Sequence, residues 1–260
     1  MDPSATCSSS DKPPVSIVTG AGSGIGRAVT HTLLKNGFHV ILAGRNEESL
    51  NETIALVKQC SNEHQVIPTD VSSESSVNSL FQRVKHKYGR VDLLFNNAGI
   101  ASTPSAYDEI SLDHWNEIIS VNLTGVFLCS RAAFGIMKTQ DPKGGRIINN
   151  GSISAITPRP LSAPYTATKH AITGLTKSIA LDGRIHGITC GQIDIGNAST
   201  ALTQSMKCGV LQSDGSTQIE PTIDVQCVAD AVLTMAKMPA DANVLQMTVM
   251  AAKMPFTGRG

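Results

Sequence analysis

Thr19-Gly20-Ala21-Gly22-Ser23-Gly24-Ile25-Gly26 follows the apolar run Val15 to Thr19 and leads straight into the helical pattern Arg27 to Leu34. A β-branched run, a glycine turn and a helix in that order read as the opening βα unit of an α/β fold. Glycines let the chain turn sharply and bring its backbone against a bound group. The unpaired amides and positive dipole end at a helix start suit the negative charge of a pyrophosphate. Gly20, Ser23, Gly24, Ile25 and Gly26 are therefore candidate binding residues, with Gly26 also permitting close packing of helix on strand. Tight turns use glycine for steric reasons alone, so the turn needs support from the rest of the chain.

That support begins with the alternation on either side. Val40 to Ala43, Val66 to Thr69, Val91 to Phe95 and Arg146 to Asn149 read as further strands, separated by amphipathic segments through Lys58, from Ser75 to Lys87 and from Asp113 to Met137. Continuous apolar strands between helices imply a parallel sheet covered on both faces, so the fold class is α/β: a doubly wound Rossmann fold with about seven strands. The 260 residues suit one domain, residues 14 to 260, preceded by a flexible Ser-, Asp- and Pro-containing tail over residues 1 to 13. With 21 basic and 21 acidic side chains, nothing in the net charge attracts nucleic acid or an anionic membrane surface. The six cysteines show no CxxC pairing and no metal site, and are expected to be reduced. No apolar run looks long enough to span a bilayer and no leader pattern precedes the fold, so the expected location is cytoplasmic.

Four residues farther along form a possible chemical unit. Tyr165 and Lys169 fall on one face of a helix. A free tyrosine holds its proton to about pH 10, so proton exchange with an alcohol or carbonyl at neutral pH calls for nearby positive charge. Ser152 follows the strand ending at Asn149, and Asn122 lies within Ser120-Val121-Asn122-Leu123-Thr124-Gly125. Taken singly, each has an ordinary structural reading: a helix tyrosine, a solvated lysine, a capping serine, an asparagine at a helix irregularity.

Together with the glycine turn and Asn96-Asn97-Ala98-Gly99 after the fourth strand, these residues resemble the classical short-chain dehydrogenase/reductase family over roughly residues 15 to 250. The resemblance implies a catalytic tetrad of Asn122, Ser152, Tyr165 and Lys169. It implies hydride transfer between a nicotinamide and a small-molecule carbonyl or secondary alcohol, with Tyr165 exchanging the proton and Lys169 also holding the nicotinamide ribose. Asp70 and Val71 would meet the adenine, and Asn97, Ala98 and Gly99 would line the cofactor. At the end of the second strand Gly44 stands where an acidic residue favours NAD(H), and Arg45 follows. A guanidinium there suits a 2′-phosphate, so NADP(H) is the expected cofactor and NAD(H) the alternative.

The family's Pro-Gly pair, which follows the helix after the fifth strand, is here Ile195-Gly196, with Thr200 kept at the position that the family uses for the nicotinamide carboxamide. Residues 201 to 222 suggest a substrate lid with Leu202, Met206 and Leu211 as its apolar side chains, or a plain insertion. Ile153, Leu161 and Pro164 flank the tetrad as pocket walls, and Arg159 is expected to be a solvated loop residue. Ala167, Ala171 and Gly174 permit close helix approach, and the family commonly forms dimers or tetramers, so a homodimer or homotetramer is expected. The leading reading is an NADP(H)-dependent ketone reductase. An NAD-dependent alcohol dehydrogenase and a non-catalytic dinucleotide sensor are the alternatives.

Overall fold

The computed structural model describes residues 12–57, 62–200 and 209–256. Seven parallel strands form one sheet: β1 (Val15–Thr19), β2 (His39–Gly44), β3 (His64–Pro68), β4 (Leu93–Asn96), β5 (Gly145–Asn150), β6 (Ile188–Gly196) and, numbered after a short hairpin, β9 (Gln246–Met250). Their order is β3-β2-β1-β4-β5-β6-β9. The helices α1 (Gly24–Lys35), α2 (Glu47–Ala55), α3 (Glu74–Tyr88), α4 (Leu112–Ile119), α5 (Gly125–Met137), α6 (Ala163–Gly183) and α7 (Val225–Ala236) make the crossovers and cover the faces. The doubly wound reading of the sequence therefore holds. Every residue of β1 is buried, and two apolar clusters lie on opposite faces. One includes Ile17, Ile41, Leu94 and Ile147, the other Val18, Leu42, Phe95 and Ile148. Side chains alternate across a strand, which is why a continuous apolar run feeds both clusters.

The strand order reverses between β1 and β4, which pair Ser16 to Leu93 and Val18 to Phe95. Crossovers leave these neighbouring strands in opposite directions, so a crevice opens beyond their carboxyl ends. The glycine turn leaves β1 there and Asn97 leaves β4 beside it.

The segment from Leu112 to Met137 is helical throughout and, against expectation, long and apolar enough by length and composition to cross a membrane. Its packing is that of a core helix. Leu128, Cys129, Ala133, Ile136 and Met137 belong to the apolar cluster under the sheet. A π-turn over Ser120–Thr124 interrupts the run between α4 and α5. The helix expected through Lys58 ends earlier, at Ala55, and Lys58, residues 1 to 11 of the expected tail, Leu202 and Met206 lie outside the described residues. Within the rest of the expected lid, β7 (Val210–Leu211) and β8 (Thr217–Gln218) pair as an antiparallel hairpin.

Candidate active site

The glycine turn is packed so closely that side chains are excluded. A Cβ on Gly26 would lie 2.1 Å from the Gly20 carbonyl oxygen, and one on Gly20, whose φ is +65°, would lie 2.9 Å from the Ala98 Cα. Gly20 thus meets both demands that favour glycine, a left-handed backbone and close approach. Ser23 takes the N-cap position of α1 without a side-chain hydrogen bond to the helix, and no acidic residue occupies the first turn. By contrast α2, α3, α4 and α7 are capped by Asn46, Ser73, Ser111 and Asp224. The start of α1 keeps amides and a positive dipole end for an anion. Together with the glycines of the turn, it fits the diphosphate of a dinucleotide.

Side chains from three strand ends lock this cradle. Thr19 Oγ1 accepts hydrogen bonds from the amides of Asn97 at 2.9 Å and Ala98 at 3.0 Å. Asn97 Nδ2 donates to the Thr19 carbonyl at 3.0 Å, and Asn150 Nδ2 donates to Asn97 Oδ1 at 2.9 Å. Gly99 lies beyond, against Asn122. Arg45 is exposed just past β2. Asp70 titrates below the usual carboxylate range, chiefly because the Ser72 hydroxyl donates to it, with a smaller contribution from the charge of Arg45. Val71 is buried against Gly125. Thr200 returns to the glycine turn, close enough that a Cβ on Gly24 would meet its Cγ2 at 3.2 Å.

Helix α6 carries Tyr165 and Lys169 on one face, the Lys169 ammonium lying 5.4 Å from the centre of the Tyr165 ring. Lys169 is buried and donates from Nζ to the Asn150 carbonyl at 2.7 Å. That bond uses one of three ammonium protons. Ser152 starts the loop after β5, where its Oγ accepts from the Ser154 amide at 3.1 Å. An accepting hydroxyl keeps its own hydrogen to donate. Asn122 sits in the π-turn, buried, and both ends of its side-chain amide are engaged with Ile100: Oδ1 accepts from the amide at 2.8 Å and Nδ2 donates to the carbonyl at 2.9 Å. Its side chain thus fastens the Asn97–Ile100 loop to the helix irregularity. π-turns recur at functional sites.

Ile195 continues the strand where the family's proline would interrupt it. Ile195 pairs with Val249 and Gly196 with Met250, which a proline's missing N–H would oppose. Asn197 then takes a left-handed φ of 53°, tolerable for asparagine. Arg159 corrects the expectation of a solvated residue. Its guanidinium donates to Glu220 Oε2 at 2.6 Å and to Asn197 Oδ1 at 2.8 Å, and Glu220 is only 3% exposed along its side chain. The partner carboxylate stands 61 residues away, so no local pattern in the sequence signals the pair. Asp194 also escaped the sequence reading, although a charged residue inside an apolar strand was a usable signal. Ile153 packs with Ala251, Met254, Met250 and Phe256 beside Ser152.

Residues 14–209 match the family model described as short chain dehydrogenase. A 3beta-hydroxysteroid dehydrogenase from Mediterraneibacter gnavus is 38% identical over 190 residues, 73% of this chain and 68% of the relative. The short chain dehydrogenase/reductase astE of Aspergillus oryzae is 39% identical over 192 residues, 74% of this chain and 73% of the relative. Among solved structures, actinorhodin polyketide ketoreductase with NADPH superposes with a TM-score of 0.82 at 28% identity, over 91% of this chain and 95% of that one. Levodione reductase gives 0.83 at 26% identity, over 92% and 96%.

Proposed function

The chain belongs to the short chain dehydrogenase family, and we propose that within it the protein is an NADP(H)-dependent reductase of a ketone on an apolar small-molecule scaffold, acting in the cytoplasm as a homodimer or homotetramer. The observation that carries this reading is the buried Lys169 ammonium, held against the Asn150 carbonyl and set beside the Tyr165 ring. Placing positive charge next to a phenol favours the proton exchange that carbonyl reduction requires.

NADPH, held by the glycine turn, Asn97, Ala98, Gly99, Asp70, Val71, Gly196 and Thr200, would supply the hydride. Ser152 donates its free hydroxyl hydrogen to the substrate oxygen and orients it. Tyr165 gives its proton to that oxygen as the alcohol forms, and Lys169 stabilises the phenolate left behind. Asn122 fixes the loop that closes the nicotinamide side. Arg45, which has no acidic residue before it at Gly44, favours a 2′-phosphate over a bare ribose. Apolar Ile153, Met254 and Phe256 support an apolar substrate, as do relatives named for hydroxysteroids and levodione. Exposed Leu112, Phe127 and Leu181 on α4, α5 and α6 support assembly.

The test is cofactor oxidation by the purified protein over a panel of cyclic ketones, 3-ketosteroids among them, with NADPH and NADH in parallel. NADPH-dependent turnover is expected, with Tyr165→Phe losing about a thousandfold in kcat, within the usual range for a positioned proton donor, while binding NADPH as before. Tight NADPH binding without turnover of any ketone or alcohol would turn the reading to a sensor. Preference for NADH would turn it to an alcohol dehydrogenase.

A further inference from the structure

Asp194 is wholly buried near the end of β6, between apolar Ile193 and Ile195. A carboxylate in such a place is costly unless hydrogen bonds replace its water. Here they do. Oδ1 accepts from the Ser152 amide at 3.0 Å and from Gln192 Nε2 at 2.6 Å, and Oδ2 accepts from Gln246 Nε2 at 2.7 Å. Gln192 Nε2 also donates to Thr173 Oγ1 at 3.1 Å, and Thr173 stands on α6, the helix that carries Tyr165 and Lys169. Gly151 leaves room for the carboxylate, since a Cβ there would lie 2.1 Å from Asp194 Oδ1.

These contacts form a path from the serine loop into the tyrosine helix. Ser152 is held at its amide by Asp194 and at its hydroxyl by the Ser154 amide. We infer that Asp194 is a positioning residue for Ser152, a buried strut that fixes the serine loop relative to α6 through Gln192 and Thr173. The inference rests on the reading of Ser152 as the group that orients the substrate oxygen. An apolar side chain would fill the strand position equally well, but it could not accept the Ser152 amide.

The test compares Asp194→Val, Asp194→Asn, Ser152→Ala and the Ser152→Ala/Asp194→Val double variant by kcat, NADPH affinity and hydrogen exchange of the Ser152 amide. Asp194→Val is expected to lower kcat about thirtyfold, as misplacement of a reacting group does, with NADPH affinity unchanged and protection of the Ser152 amide lost. Asp194→Asn keeps an accepting Oδ1 while Gln246 turns its amide oxygen to the new NH2, so kcat stays within about threefold and protection remains. In the Ser152→Ala background Asp194→Val costs nothing further, because both changes act through one group.

An equal loss from Asp194→Val with and without Ser152 overturns the proposal, as does an unchanged kcat in Asp194→Val. A tenfold loss in folded Asp194→Asn overturns it too, and decides alone if the valine variant does not fold. Undiminished turnover in Ser152→Ala overturns the assignment of Ser152 and this proposal with it. A damaged Ser152→Ala beside an unaffected Asp194→Val removes the proposal alone.

Discussion

On the glycine-turn side of the crevice the chain is shaped by what it lacks. The left-handed positions there, Gly20 and Gly24, are glycines, and their neighbours approach as backbone or small side chains. On the serine-loop side the left-handed positions are Leu161 at φ 59° and Asn197 at φ 53°, residues that need surrounding contacts to hold them there. For Asn197 those contacts come from Arg159 and Glu220, and Glu220 also accepts from Gln212 of the hairpin at 3.1 Å. One wall is set by local geometry, the other by pairs of charged and polar groups distant in sequence. Local geometry depends only on a short stretch of chain. A wall of distant pairs can be rebuilt for each substrate without disturbing the sheet.

The comparison breaks most directly at Gly26. Gly26→Val would place side-chain carbon against the Gly20 carbonyl and Asn97 Nδ2, at the upper end of overpacking costs, about 3 kcal/mol. Thermal unfolding should record the loss, and cofactor binding should vanish in any folded fraction. A variant of native stability and affinity would show the turn to be adaptable.

The opposite wall is tested at Arg159. Arg159→Ala leaves Glu220 buried, with Asn197 and Gln212 still donating to it. Losing one partner of a buried pair is usually severe, and the amide donors temper it to about 2 kcal/mol. The consequence should be a raised KM for the ketone with NADPH affinity intact, read by steady-state kinetics beside direct cofactor titration. Weakened NADPH binding would show that the two walls are not separable.

A smaller effect is expected at Arg45, on the cofactor side but outside the turn. Arg45→Ala should weaken NADPH about tenfold, roughly 1.4 kcal/mol, and leave NADH unchanged. Fluorescence titration of both nucleotides decides it, and an equal loss for both would assign Arg45 a structural role instead.

The same division explains what the sequence could show. The strand–turn–helix order around the glycine turn, and the shared helix face of Tyr165 and Lys169, were legible because periodicity and spacing carry them, whereas Asn97 enters only through the family resemblance. The continuous strand through Ile195 was not legible, because the resemblance suggested a loop there and only pairing with β9 shows a strand. Arg159 was misread as solvated because its partner is supplied by a distant segment. Asp194 was passed over because its role depends on Ser152, Gln192 and Gln246 converging in space. The π-turn at Asn122 is the helix irregularity that the ordinary reading of that residue offered.

Thiol chemistry can show how far damage to either wall spreads into the sheet they share. Cys129 on α5 and Cys190 on β6 are free and buried, and burial pushes both thiols up to about 12, whereas Cys227 on α7 is free and exposed. At pH 8 a thiol titrating near 12 is about one part in ten thousand thiolate, the reactive form. Alkylation followed by peptide mass mapping should therefore label Cys227 and leave Cys129 and Cys190 untouched. Arg159→Ala should give the same pattern, since its clasp lies outside both apolar clusters. Gly26→Val should expose Cys190 and Cys129 to label, because lowered stability raises the population of the opened state in which buried thiols on either face react. Labelling of Cys190 in Arg159→Ala would mean that the serine-loop wall also supports the sheet, and the separation between the two walls would then be one of sequence distance rather than of mechanics.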